Sequence, residues 1–330
     1  MAYSIVNNEL LNFKGLKILN RMVLSFIFVL VTFYSVDLYA DKSIHIPLNK
    51  WSSQRVLSKA VGKVISDSGT PVEYVEINVE DQWGALRRGA IHFQLEVWEP
   101  SMKKAFNHLV AQNEIIDLGT HKATVIEDWW YPEYVEKYCP SLPVWTSLNE
   151  CIDLFKEKPS DNKGVYHGGP WNYGDADIIR ALNINFEINR LQTGLELWHE
   201  LAKAIHKEKP IVLLNWSPNW TDKYSHGKFI QFPEYEEECE INPEWGLNKK
   251  YVKDCANRKN GWLKKAASKS LKENYHCIFQ FIKQVNFSKE MIIEASSLVV
   301  INKLNLEEAA ERWIASNSSA IEAWRLNTCM

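Results

Sequence analysis

Phe93-Gln94-Leu95-Glu96-Val97-Trp98-Glu99-Pro100 reads as a mostly apolar strand that ends on a tryptophan and turns at a proline. The same pattern returns in Ile211-Val212-Leu213-Leu214-Asn215-Trp216-Ser217-Pro218. Open α/β sheets bind ligands outside the carboxyl ends of their strands, so each run delivers an indole to a ligand crevice. An indole face is electron-rich and attracts cations. Two such deliveries suggest a cage for a small cation.

Working outward from these runs, strands and helices alternate. A strand at Ile44–Pro47 precedes a helix opened by Ser52 or Ser53, with Val56, Ala60, Val61 and Val64 at helical spacing. After a Ser-Gly-Thr-Pro turn come a strand at Val72–Ile77, a helix around Asp81–Arg88, the strand Ile91–Trp98 and a helix at Ser101–Leu109. The middle of the chain repeats the rhythm, with a strand near Gly164–His167, helices at Asp175–Leu182 and Leu191–His206, and the strand Ile211–Trp216. From Leu263 onward the pattern reads as helical, with Leu298–Ile301 the one buried or strand-like run. This order predicts an α/β fold with mostly parallel sheets and crossover helices. Two lobes explain it, one built from 41–122 and 222–330 and a second, 123–221, inserted into it, with the ligand cleft between them.

The first forty residues differ from the rest. Lys14, Lys17 and Arg21 precede the apolar run Met22–Phe33, and Leu38-Tyr39-Ala40 offers a small residue for cleavage, the pattern of a signal peptide over 1–40. The run is shorter than the ~20 apolar residues that span a bilayer. Translation starting at Met1 or at Met22 fits equally well, and an exported protein beginning near Asp41 is expected. The formal charge is −3, and removing the first forty residues, with three basic and two acidic, leaves −4. That balance argues against binding nucleic acid, which needs a basic face.

All six cysteines follow position 138. Cys139 with Cys151 and Cys239 with Cys255 read as two local disulfides of an exported protein, and Cys277 and Cys329 stay unassigned. The rival, a metal site, would need a Cys-x-x-Cys or a histidine at ligand spacing beside them, and neither is present. No metal or cofactor is expected.

Fourteen tryptophans exceed an average share. Trp198, Trp313 and Trp324 fall on helices and read as core. Trp51 follows the first strand, Trp98 and Trp216 end strands, and Trp171 sits in the turn His167-Gly168-Gly169-Pro170-Trp171-Asn172-Tyr173-Gly174, where backbone N–H groups at a helix start suit the polar end of a ligand. A quaternary ammonium group makes no ordinary hydrogen bonds, so several rings at ~0.5–2 kcal/mol each hold it without a counter-charge.

On these motifs the chain resembles the glycine betaine, choline and proline-betaine substrate-binding proteins of ABC importers. The residues that carry the resemblance are Trp51, Leu95–Pro100, Asp128-Trp129-Trp130-Tyr131-Pro132, Gly169-Pro170-Trp171, Asn215–Trp220, the Cys239–Cys255 segment and Ala309–Ile314 with Ala323-Trp324. The resemblance implies a type II periplasmic-binding fold and a monomer in the periplasm that passes its ligand to a membrane ABC permease without catalysing a reaction. It implies an aromatic box of Trp51, Trp98, Trp171 and Trp216 with a further ring from Trp130. Two departures bear on the ligand. Met102 stands where some betaine binders carry a histidine, and Ser53 stands where choline binders place an aspartate. Glu127 and Asn172 remain for the polar end of a methylated ammonium solute, whether glycine betaine, choline or trimethylamine N-oxide. The alternative is a secreted carbohydrate-active enzyme or sugar-binding protein with a tryptophan-lined cleft. An enzyme of that kind needs two carboxylates flanking one bond, and Glu127 with Asp128 are the only acids singled out.

Overall fold

The computed structural model describes residues 43–171, 173–325 and 328–329. The expected signal peptide over 1–40 and Asn172 lie outside the described residues. The chain runs β1 (Ile44–Leu48), β2 (Val72–Glu76), β3 (Phe93–Trp98), β4 (Ile116–Pro132), β5 (Gly164–Gly168), β6 (Phe186–Arg190), β7 (Val212–Ser217), β8 (Gly227–Phe229) and β9 (Gly261–Ala267), with helices between them and at the C-terminus.

The first helix, Ser52–Asp67, buries Val56, Leu57, Ala60, Val61, Val64 and Ile65 on one stripe, and packs on the helices Lys289–Val300 and Leu306–Ser316. Helix Val79–Arg88 stops at Gly89, whose φ of 73° is the left-handed conformation that glycine adopts freely. Pro100 lies in the first turn of Glu99–Ala111, where its missing N–H costs nothing, so helix and strand β3 meet directly at Trp98. Thr193 caps Gly194–His206 by accepting from Glu196 N at 3.2 Å.

β1 and β2 pair in parallel as a small sheet. The main sheet has the order β3-β9-β4-β7-β5-β6, with β8 added on β4. The α/β class read from the sequence holds, but the main sheet is mixed rather than mostly parallel. β5 pairs β6 and β7 in parallel, whereas β3·β9, β4·β9, β4·β7 and β4·β8 are antiparallel. The long strand β4 is the cause. It pairs with β9 as far as Val125 and with β7 from Ile126.

The helical reading of everything after Leu263 is corrected at its start, because Gly261–Ala267 is a strand. Lys265 in that strand is buried, and its ammonium is satisfied by the carbonyls of Lys283 and Val285 beside the end of helix His276–Gln284. The Leu298–Ile301 run is not a strand: Leu298 and Val300 are buried in the last turn of helix Lys289–Val300, and Ile301 beyond it is exposed. Cys139–Cys151 and Cys239–Cys255 are both bonded, and the two unassigned cysteines form a third disulfide, Cys277–Cys329.

Candidate functional site

A cavity of about 310 Å³ opens where the strand ends converge, lined by Trp51, Trp83, Trp98, Trp171, Tyr173 and Trp216 together with Glu127, Ser101 and Met102. Each ring arrives by a short route from an element. Trp51 and Trp98 are extended residues immediately preceding the helices Ser52–Asp67 and Glu99–Ala111. Trp216 lies in β7, while Trp171 and Tyr173 sit in the loop between β5 and helix Asp175–Ala181. Glu127 comes from β4, and Trp83 from helix Val79–Arg88.

The rings meet edge to face, the arrangement that aromatic quadrupoles favour. Trp171 is the hub. Its centroid is 6.0 Å from Trp51 at 78°, 5.4 Å from Trp216 at 89° and 6.0 Å from Tyr173 at 87°. Trp216 is backed by Trp198 at 4.9 Å. The Gly-Gly-Pro-Trp turn is shaped for this packing, since a Cβ on Gly169 would fall 2.3 Å from the Trp171 ring. Arg190 secures the turn by donating to the Trp171 carbonyl at 3.1 Å while pairing with Asp175 at 2.8 Å. Gly194 N donates to the Lys50 carbonyl at 3.0 Å, tying the residue before Trp51 to the helix that carries Trp198.

Two buried carboxylates accompany the rings. Glu96 Oε2 accepts from Trp51 Nε1 at 2.7 Å, Trp98 Nε1 at 3.0 Å and Ser53 Oγ at 3.1 Å. Glu127 Oε1 accepts from the Tyr173 hydroxyl at 2.7 Å. Burial pushes each of them up to about 7, against the opposing pull of those donors and, for Glu127, of nearby Ser101. Glu96 Oε1, Glu127 Oε2 and Ser101 Oγ have no hydrogen-bond partner among the described residues. None of the described residues lining the cavity is Lys, Arg or His. Among the described residues, the polar end of the site therefore offers the Glu127 carboxyl and two hydroxyls, and no positive group.

Comparison with known proteins places this architecture. Residues 42–316 match the family model described as the substrate binding domain of ABC-type glycine betaine transport systems. The chain belongs to this family. It is 31% identical over 317 residues to the trimethylamine N-oxide-binding protein of Pelagibacter ubique (strain HTCC1062), an alignment covering 93% of this chain and 97% of that one. Among solved structures, it superposes on a choline-binding protein of an ABC transporter in complex with choline with a TM-score of 0.67, at 15% identity, covering 86% of this chain and 92% of the other. Lactococcal OpuAC, closed and complexed with glycine betaine, gives a TM-score of 0.61 at 16% identity, with coverage of 86% and 99%. The fold is thus that of the type II periplasmic-binding proteins. The family's members bind small quaternary-ammonium ligands, face the periplasm or the cell exterior, and work with ABC permeases.

Of the rings expected from the sequence, Trp51, Trp98, Trp171 and Trp216 line one cavity, with Glu127 beside them. Trp130 does not. Side chains alternate along β4, so Trp130 faces away from the side that carries Glu127, and it packs where a Cβ on Gly227 would lie 1.9 Å from its ring. Trp129, its neighbour, stacks on Tyr166 at 3.8 Å in the core. Asp128 likewise turns away from Glu127, and its two oxygens accept from Trp129 N at 2.8 Å and Asn257 N at 3.0 Å. Glu127 and Asp128 therefore do not form a carboxylate pair across the cavity. Tyr173, Trp83, Ser101 and Glu96 were not selected from the sequence. Tyr173 could have been found two residues after Trp171, and Glu96 two before Trp98. Ser101 and Trp83 carry no signal outside the fold.

Proposed function

We propose that this protein captures a small methylated ammonium solute of the trimethylamine N-oxide or choline type in the periplasm and delivers it to an ABC permease, acting as a monomer, without catalysis and without a metal or cofactor. Trp51, Trp98, Trp171 and Trp216 hold the methyl groups, and Glu127, with Ser101, meets the polar end. The observation that carries this reading is the pairing of an indole-lined cavity with a buried carboxyl whose Oε2 is unspent. Near neutral pH the Glu127 carboxyl is poised between two forms. Protonated, it donates to the oxygen of an N-oxide. Ionised, it accepts from a hydroxyl and balances the cation. A betaine carboxylate would instead meet Glu127 with no Lys, Arg or His among the described residues lining the cavity to offset the repulsion.

Two lobes, 41–122 with 222–330 and 123–221, are proposed to close on the ligand. Trp51 and Trp98 fall in the first and Trp171, Tyr173 and Trp216 in the second, so a ligand that touches all of them favours the closed state. The exchange of β9 for β7 along β4, at Val125 and Ile126, lies next to the proposed first crossing. Export of the chain by a signal peptide over 1–40 belongs to the same reading.

The test is titration calorimetry of the mature protein with trimethylamine N-oxide, choline and glycine betaine. Micromolar or tighter binding of either of the first two, with glycine betaine weaker, is expected. Binding of none of the three, with heat released by an oligosaccharide, overturns the reading.

A further inference from the structure

We propose that Glu96 is the positioning residue of the aromatic box and a source of its negative charge, one carboxylate that fixes two indoles by their N–H groups and makes the site select ligands by net positive charge. The proposal rests on the ligand class proposed above and goes beyond it, because Glu96 need not touch the ligand.

The geometry is specific. Trp51 and Trp98 stand at the starts of two different helices, 47 residues apart in the chain, yet both donate Nε1–H to the same oxygen, and Ser53 Oγ adds a third donor. Glu96 is fully buried. Three donors on a single oxygen select an anion, since a charged acceptor makes bonds about twice as strong as a neutral one. A glutamine in its place would keep one acceptor but put an amide NH₂ where Oε1 now has no partner among the described residues. An anion accepting from indole N–H also draws the ring's positive edge toward itself and leaves the face richer in electrons, which strengthens its attraction for a cation.

Among the described residues the carboxylate has no counter-cation. Its backbone N–H donates to Gln94 Oε1 at 3.1 Å. On β4, His121 contacts the neighbouring Leu95 carbonyl at 2.8 Å and is held neutral by burial, with Lys265 adding, its pKa brought down to about 3. On β9, Lys264 is paired with Asp117 at 2.7 Å and Lys265 is spent on helix carbonyls. Beyond Trp98, Glu99 is engaged by Arg258 at 3.4 Å. The remaining titratable groups among the described residues facing the box, Glu127, Glu80 and Tyr173, supply no positive charge. A cation in the cavity is therefore the group that completes the electrostatics of Glu96, and its arrival favours the ionised carboxylate that burial alone disfavours.

The experiment compares two probes by calorimetry between pH 6 and 8.5: tetramethylammonium, a permanent cation with no hydrogen-bonding group, and trimethylamine N-oxide, a net-neutral dipole over this range. Wild type is expected to bind tetramethylammonium more tightly as pH rises, and Glu96→Gln to weaken it about tenfold or more at pH 8, with a smaller loss for the N-oxide. Because Glu127 also titrates, the pH profile is repeated in Glu127→Gln. The slope that remains there is expected to vanish in the double variant. Wild-type indole fluorescence without ligand provides a measurement that needs no variant, and should titrate near neutral pH in step with the Glu96 carboxyl. Equal losses for both probes with an unchanged pH profile would mark Glu96 as structural only and overturn the proposal. So would wild type that binds the N-oxide but not tetramethylammonium, or fluorescence that does not titrate. Wild type that binds no methylated ammonium compound at all would overturn the proposed function itself, which separates the two failures.

Discussion

Removing the Trp216 ring is the sharpest test of the box, because this side chain both lines the cavity and supports another ring that does. Trp216→Ala deletes one cation contact, worth ~0.5–2 kcal/mol. It also frees one edge of Trp171, whose 5.4 Å perpendicular contact with Trp216 belongs to a class worth ~0.5–1.5 kcal/mol. Only part of that second loss reaches the ligand, so the expected weakening is about 0.7–3 kcal/mol, or about 3- to 150-fold in Kd. Truncating a buried tryptophan costs ~3–5 kcal/mol of stability, less here because one side of the ring faces the cavity. Affinity and stability must therefore be read separately, by calorimetry with trimethylamine N-oxide on protein whose thermal transition remains cooperative. Trp198→Ala is the matched control. That ring packs 4.9 Å from Trp216 without lining the cavity, so it should lower Tm by a similar amount with a smaller change in Kd. A folded Trp216→Ala protein whose Kd stays within about twofold of wild type would remove this indole from the ligand site, and the reading of the cavity with it.

Tyr173→Phe removes the hydroxyl that stabilises ionised Glu127, so the carboxyl, already at about 7, should rise further, and the pH at which a permanent cation such as choline reaches half its maximal affinity should move up. Calorimetry between pH 6 and 9 checks this, and an unshifted profile would detach Glu127 from ligand binding. Gly227→Ala forces a methyl into the Trp130 ring and the Tyr131 carbonyl, so Tm should fall by several degrees while Kd holds. Loss of affinity at unchanged Tm would put Trp130 back into the box. The double substitution Cys277→Ser with Cys329→Ser opens a covalent loop of sequence separation 52, against 16 for Cys239–Cys255. In the chain-entropy account the longer loop stabilises by about 4 kcal/mol and the shorter by about 3 kcal/mol, so denaturant melts should show the larger loss for the C-terminal pair, and the reverse order would assign the stabilisation to local packing instead.

Where a segment buries one face of a regular element, its sequence was readable, and where pairing partners decide, it was not. Ser52–Asp67 shows helical spacing because one stripe faces two other helices, β7 is an apolar run because it is central in the sheet, and β3, at one end of the sheet order, because all six of its residues are buried. β4 begins Ile116-Asp117-Leu118-Gly119-Thr120-His121-Lys122, polar and interrupted by a glycine, and bulges break its register with β9 on either side of Thr120. Nothing local marks it as the longest strand. Its identity comes from β9 and β7, both far away in sequence. β9 was hidden for a related reason, since two adjacent lysines read as solvated until the carbonyls at the end of a distant helix are placed around one of them.

The site was legible to the extent that its groups stand at strand ends. Trp51, Trp98 and Trp216 could be placed because a carboxyl strand end has one direction in which to present a side chain to the crevice. Trp129 and Trp130 sit within a strand, where adjacent residues take opposite faces and the phase follows from pairing, not from composition. The same alternation separates Glu127, which keeps an oxygen free at the cavity, from Asp128, whose oxygens are spent on backbone N–H groups. Glu96 escaped notice for the opposite reason. It lies inside a strand that the sequence shows, two residues before the tryptophan that ends it, but a carboxylate in a fully buried strand has no local justification. Its justification is tertiary, since it needs two indoles from different helix starts to meet on one oxygen. A buried acid in an otherwise apolar strand beside aromatic strand ends is therefore a signal in its own right. Desolvating it is costly unless donors converge on it, and here the donors are the rings of the ligand cavity.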